Sequence, residues 1–229
     1  MKITMKIGKI FIALMIMFSA TFTFAQSTQS SGPAFGLLGG VNFQNLTGKD
    51  ADGSNLDNDI IIGYHIGANV QIPIAPEFYF QPGLLFSTKG GKSTLGPVTS
   101  TYSLSYLELP LNFVYKGLLG TGYVMVGFGP YVGYGIMGKA KHEGGSLSYE
   151  SDIEFTNTVD AGDPLTETYF KPLDVGGNVF VGYETAVGLF FQLNSQLGML
   201  NINPEDNRFS TNEASIKNTG FGLSLGYRF

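Results

Sequence analysis

Residues 217–229 alternate almost without interruption between two kinds of side chain. Thr219, Phe221, Leu223, Leu225, Tyr227 and Phe229 fall on one face of an extended strand. Asn218, Gly220, Gly222, Ser224, Gly226 and Arg228 fall on the other. Successive side chains of a strand point to opposite faces, so the segment has one bulky apolar side and one small or polar side. Such a strand suits the wall of a membrane barrel better than the exposed edge of a soluble sheet.

Seven further segments share this period of two. Residues 34–44 set Phe35, Leu37, Val41 and Phe43 against Asn42 and Gln44, and residues 60–72 set Ile62, Tyr64, Ile66 and Val70 against His65, Asn69 and Gln71. In 78–89 the outer set is Phe78, Phe80, Leu84 and Phe86, and the opposite set Gln81, Gly83, Ser87 and Lys89. In 101–116 Leu107, Leu109, Leu111, Phe113 and Tyr115 oppose Glu108, Asn112 and Lys116. Residues 123–139, 172–184 and 187–201 repeat the pattern, with Gly127, Gly129, Gly133, Asp174, Asn178, Glu184, Gln192, Asn194 and Gln196 on the smaller or polar side. With the tail this makes eight strands, an even number as a single-chain outer-membrane barrel requires.

The connections alternate in length. Residues 73–77, 117–122 and a turn near Thr185 are short, whereas 45–59, 90–100, 140–171 and 202–216 are long. The expected fold is therefore all-β: an eight-stranded antiparallel up-and-down transmembrane β-barrel with short periplasmic turns and long extracellular loops. The last strand should pair with the one near Phe35 to close the sheet, with Arg228 pointing inward near the periplasmic rim.

Residues 1–25 carry Lys2, Lys6 and Lys9, an apolar centre and a small-x-Ala end at Ala25, the pattern of a secretory signal peptide cleaved between Ala25 and Gln26. Residues 26–33 then form a short periplasmic tether and 34–229 a single barrel domain. The chain has no Cys, which excludes both a lipoprotein anchor and disulfide stapling. Its formal charge is −5, and the leader carries three of its 13 basic residues, so the remainder lacks the basic footprint of a nucleic-acid binder. Only 14% of residues are charged, against about 25% in an average globular chain. After Ala25 nothing approaches the ~20 consecutive apolar residues of a membrane helix.

A soluble lipocalin-like barrel would turn the apolar faces inward. Here those faces carry Phe, Leu, Val and Tyr on every strand, more volume than a small barrel holds, so they are expected to face lipid. The polar faces then fill the lumen, where Lys89, Glu108, Asn112, Asp174, Asn178, Glu184 and Arg228 should form a paired polar network. Glycines on the same faces make room for Tyr131 and Phe180. His65 reads as a satisfied lumen histidine and His142 as a loop residue. No catalytic residue, metal site or cofactor is expected. Fourteen of the 18 acids lie on three of the four long connections, 45–59, 140–171 and 202–216, which read as a solvated face. Asp50-x-Asp52-Gly53 resembles the opening of a calcium loop, but its glycine comes too early.

Several stretches resemble the PorT-like outer-membrane β-barrel family of Bacteroidetes. They are F-G-L-L-G-G-V-N-F from Phe35, Q-P-G-L-L-F-S-T-K-G from Gln81, Y-L-E-L-P-L-N-F-V-Y-K from Tyr106, G-P-Y-V-G-Y-G from Gly129, the four residues from Leu173, and G-Y-R-F from Gly226. The stretch from Tyr106, with Glu108 and Pro110, is the most specific. The seventh strand departs from the family, reading Q-L-N-S-Q-L-G-M-L-N where relatives tend to carry a charged residue and a Tyr.

The resemblance implies an integral outer-membrane location, outer-membrane lipid as surroundings, and insertion by the barrel-assembly machinery through the C-terminal strand with Tyr227 and Phe229. It carries no activity. The expected function is a non-enzymatic structural or surface-interaction module with a filled lumen, for which an accessory role in secretion and an unknown extracellular or secretion-system protein partner are one form. The alternatives are a narrow porin for small solutes and a rim enzyme acting on lipid or protein.

Overall fold

The computed structural model describes residues 32–145, 147–208 and 214–229. The expected leader, its cleavage point between Ala25 and Gln26, and residues 26–31 of the tether lie outside the described residues. The strands in chain order are β1 (Ala34–Lys49), β2 (Asn58–Asp59), β3 (Ile61–Ala75), β4 (Phe78–Leu95), β5 (Val98–Leu119), β6 (Gly122–Gly144), β7 (Leu147–Phe155), β8 (Thr158–Val159), β9 (Thr168–Phe170), β10 (Leu173–Glu184), β11 (Leu189–Gly198), β12 (Glu205–Asp206) and β13 (Ser215–Arg228).

Eight of them form a closed antiparallel ring in the order β1, β3, β4, β5, β6, β10, β11, β13, with β13 paired back onto β1. The closing seam runs from Gly36 opposite Arg228 to Lys49 opposite Ser215. Leu223 and Leu225 on β13 are exposed on the outside, whereas Ser224 and Arg228 are buried inside. The same inside-outside alternation holds round the ring. Outer aromatic pairs such as Phe43–Phe221 and Phe80–Phe113 stack across neighbouring strands.

At one rim the connections are tight. Pro76 and Glu77 join β3 to β4, Gly120 and Thr121 join β5 to β6, and the turn after Glu184 is closed by hydrogen bonds between Thr185 and Gly188 and between Thr185 and Leu189. The opposite rim differs from the sequence expectation. Residues 90–100 are not a loop: β4 and β5 continue through them and turn at Gly96–Pro97, with Leu95 opposite Val98. The reason is local. Thr94, Val98, Thr99 and Thr101 are β-branched and suit a ladder, while Gly96 takes the positive φ of 59° that the turn needs. The connection 140–171 likewise begins as strand, because β6 runs to Gly144 and pairs with β7. Strands β4 to β7 thus rise together as a sheet beyond the ring. Unequal connection length on this rim records strand extension as much as loop.

The alternation of β6 breaks once. Ile136 and Met137 are both exposed, and the register against β5 shifts beside Ser105 and Tyr106. This β-bulge resets the phase, so Ala140 rather than Lys139 is buried. Pro82, Pro110 and Pro130 interrupt the ladders of β4, β5 and β6, because proline has no backbone donor.

Two glycine positions show how a narrow ring accepts large inner rings. A Cβ at Gly127 would lie 2.2 Å from the Phe180 ring, and one at Gly226 would lie 2.2 Å from Phe190. We expect Gly127→Ala to destabilise the barrel by about 1–3 kcal/mol through overpacking. Adding Phe180→Leu should recover most of the loss, as read from the urea midpoint by circular dichroism in detergent. Equal midpoints for Gly127→Ala and the parent would refute this packing.

Candidate functional site

The lumen holds the chemistry-bearing side chains, in layers. Nearest the short-turn rim, Glu184 sits between two cations: Lys116 Nζ lies 2.6 Å from its Oε1 and Arg228 Nε 2.9 Å from its Oε2. These residues come together because Glu184 and Arg228 end β10 and β13 and Lys116 lies near the end of β5. Arg228 also donates to Asn69 Oδ1 at 2.9 Å, and its guanidinium lies over the Phe190 ring.

Higher in the barrel, Lys89 lies between two carboxylates, 2.6 Å from Glu108 and 3.0 Å from Asp174. All three side chains are at most 1% exposed. Asp174 also accepts hydrogen bonds from Asn218 at 3.0 Å and from the Tyr131 hydroxyl at 3.3 Å. Gln196 donates to Glu108 at 3.1 Å, and Lys89 Nζ stands 4.1 Å from the centre of the Tyr131 ring. Of the residues marked in the sequence, Lys89, Glu108 and Asp174 therefore share one cluster, and Glu184 and Arg228 another. Asn112 and Asn178 join neither; they line a cavity between the two.

A third group links inner faces of β1, β3, β4, β11 and β13. His65 Nδ1 is 2.7 Å from Asn42 Oδ1, and its Nε2 is 2.8 Å from Ser224 Oγ. Asn42 donates to Ser87 Oγ at 3.1 Å, and Asn194 to Ser224 Oγ at 2.9 Å. The sequence placed these residues on polar faces but offered no means of bringing a hydroxyl to His65. The order hydroxyl, imidazole, amide is that of a nucleophile, base and orienting group. The space beside it is about 60 Å³, far too small for a lipid or peptide.

Two apolar layers were not legible as such. Leu38, Val114, Met125, Phe180 and Phe190 pack across the lower lumen. Leu46, Leu104, Tyr106, Ala140, Ile153, Phe170 and Ile202 pack across the upper mouth. The available signal was apolar residues out of phase, such as Leu38, Val114 and Met125, at positions where the alternation calls for small or polar ones.

Above the mouth, β8 pairs with β12, and Arg208 donates to Pro164 O at 2.8 Å and to both Asp206 carboxylate oxygens. These bonds hold the Asp206 carboxyl below its ordinary value. On the raised sheet, the hydrogen bond from Lys139 likewise lowers Glu150. His142 stacks on Tyr149 and hydrogen-bonds Ser100. The Asp50 carboxylate is taken by the backbone N–H groups of Asp52 and Ser54, a turn rather than a calcium loop. Among the described residues no group of three or more His, Asp or Glu side chains is placed to hold a metal ion. Tyr227 faces outward, opposite Leu37 and Leu189, and Phe229 is exposed.

The sequence pattern of the outer membrane protein beta-barrel domain matches residues 24–203. The chain belongs to this family. It is accordingly an integral β-barrel of the outer membrane, and the short-turn rim is the periplasmic one. No curated protein matches the chain. Among solved structures it is similar to Ail, the attachment invasion locus protein of Yersinia pestis, in complex with the heparin analogue sucrose octasulfate. That match has 12% identity and a TM-score of 0.40 over 86% of this chain and 99% of Ail. An outer membrane channel from Pseudomonas putida F1 is similar at 9% identity and a TM-score of 0.31, over 90% of this chain and 98% of the channel.

Replacing Lys89 by Met leaves two buried carboxylates side by side without their cation. We expect this to cost about 3–5 kcal/mol. The triple variant Lys89→Met, Glu108→Gln, Asp174→Asn should recover most of it. The chain has no Trp, so the unfolding midpoints are read by circular dichroism. A Lys89→Met midpoint equal to the parent's would show that the cluster is not closed as described.

Proposed function

We propose that the protein is a non-enzymatic outer-membrane barrel with a side-chain-filled lumen, serving as a structural and surface-interaction module. The observation that carries this reading is the stacking of closures along one lumen: the Glu184 cluster, the Phe180 layer, the Lys89 cluster and the Ile153–Phe170–Ile202 layer. A barrel of eight strands is just wide enough for side chains to fill it. The raised sheet of β4 to β7 offers the outer surface, and an extracellular or secretion-system protein is the partner class. Kinship with the PorT-like barrels of Bacteroidetes is supported by the stretch from Tyr106, whose Tyr106 and Glu108 are both buried.

Purified, refolded protein in planar bilayers should show no steady conductance steps. Reproducible steps would favour a narrow porin instead. A lipid-modifying activity in outer-membrane vesicles that disappears with His65→Ala or His142→Ala would favour a rim enzyme.

The assembly machinery is proposed to read the exposed aromatic residues Tyr227 and Phe229. Deleting Phe229 should reduce the amount of barrel in the outer membrane severalfold while leaving the unfolding midpoint of the refolded protein near the parent's. Normal outer-membrane levels of the deletion would count against that role.

A further inference from the structure

In the upper ion cluster one amine touches two carboxyl groups. Lys89 Nζ lies 2.6 Å from Glu108 Oε1 and 3.0 Å from Asp174 Oδ2, and all three side chains are at most 1% exposed. The rings of Tyr131 and Tyr106 stand 4.1 Å and 5.6 Å from the same nitrogen. Three strands, β4, β5 and β10, thus hold these groups together out of solvent. An amide condensation needs a nucleophilic amine, a carboxyl carbon beside it and a second group that carries protons between them. The cluster contains all three.

We propose that Lys89 and Asp174 condense into an isopeptide bond across the lumen, with Glu108 as the proton carrier. Glu108 takes a proton from the ammonium and passes it to Asp174, which leaves a neutral amine against a neutral carboxylic acid. The nitrogen lone pair attacks Cγ of Asp174, and the carbonyl electron pair moves onto its oxygen. The Tyr131 hydroxyl, 3.3 Å from Oδ2 and 3.4 Å from Oδ1, donates to the developing negative charge. Glu108 then moves a second proton from the nitrogen to the hydroxyl. The C–O bond breaks, the carbonyl re-forms, and the oxygen leaves as water toward the cavity that Glu108 borders. Lys89 has lost two hydrogens and a charge, Asp174 one oxygen and a charge, and Glu108 ends as it began.

A site closed to solvent favours the product, because little water returns to hydrolyse the amide. The lower cluster lacks the full set. Lys116 Nζ is equally close to Glu184, at 2.6 Å, but the third member there is Arg228, a guanidinium that accepts no proton. Lys116 is therefore an internal control. The bond ties Lys89 to a residue 85 positions later in the chain and braces β4 against β10. It forms whether or not the lumen conducts, so bilayer recordings do not bear on it.

The test is peptide mass spectrometry of the mature protein, extracted from the outer membrane, denatured and digested with trypsin. An acylated Lys89 is not cut, and Lys171 is protected by Pro172. The expected product is residues 50–92 joined to residues 142–208, lighter than the two peptides together by one water. Recovery of only the free peptides 50–89 and 142–208 would overturn the proposal. Lys89 joined to residues 93–116, which hold Glu108 instead of Asp174, would do so as well. Residues 93–139 joined to 142–208 through Lys116 should be absent; their presence would show that one carboxylate suffices and would remove the role of Glu108. In refolded protein, Glu108→Gln should slow the linkage about a hundredfold or more. An unchanged rate would count against Glu108 as carrier, and the parent digest decides the bond itself even where that variant does not fold.

Discussion

The pairing of β13 with β1, unbroken from Gly36–Arg228 to Lys49–Ser215, is the constraint on which the rest of the molecule depends. In lipid a strand edge has no water to satisfy its N–H and C=O groups, so the sheet must return upon itself. Closing it with eight strands sets the diameter, and the diameter leaves a lumen of side-chain width. Everything inside must then be packed or paired. The glycines opposite Phe180 and Phe190 follow from the first requirement, and the two ion clusters follow from the second.

The two clusters are not equivalent. The upper one sets a single ammonium, Lys89, against two carboxylates, and the lower sets two cations against Glu184. Each carries an unmatched formal charge of opposite sign, and their excesses cancel along the axis. Separating them across a dry apolar interior would be costly, since Coulomb energy rises steeply as the dielectric falls. Polar amides from β3, β4, β5, β10 and β11 share the space between them with the Phe180 layer. This is a physical reason for so many Asn and Gln on inner faces that already have little room.

The strands were legible because period-two alternation is a direct consequence of lipid outside and packing inside. The pairing of the last strand with the first follows from the number of strands and the need for closure, whereas its register, with Leu37 opposite Tyr227, does not. Residues 90–100 were misread because an extension above the membrane faces water on one side. Its outer residues Lys92, Lys139 and Lys141 then break the apolar pattern while the ladder continues. The polar site was legible by face but not by cluster. Lys89 and Asp174 stand 85 residues apart in the chain, and only the register of the three ladders β4–β5, β5–β6 and β6–β10 brings them within 3.0 Å. Leu38 and Met125 were hidden for the opposite reason: they break the alternation in order to fill the lumen.

The raised sheet owes little of its stability to its visible ion pairs. Lys139–Glu150, Lys141–Glu143 and Lys92–Asp59 are all well exposed, and solvent screens such pairs so that they add little. The inner face of the same sheet does more. Tyr102 meets Phe170 edge-on at 5.9 Å, Tyr106 meets Phe155 at 6.2 Å, and Ile153 is buried among them. Burial of such side chains is worth roughly 1.5–3 kcal/mol apiece. Phe155 and Phe170 lie on β7 and β9, and Ile202 bonds through its backbone to Lys171 and Ile216. The layer that closes the mouth is therefore the same layer that holds the sheet upright. A conformational change that opened the lumen would have to unpack the outer surface at the same time.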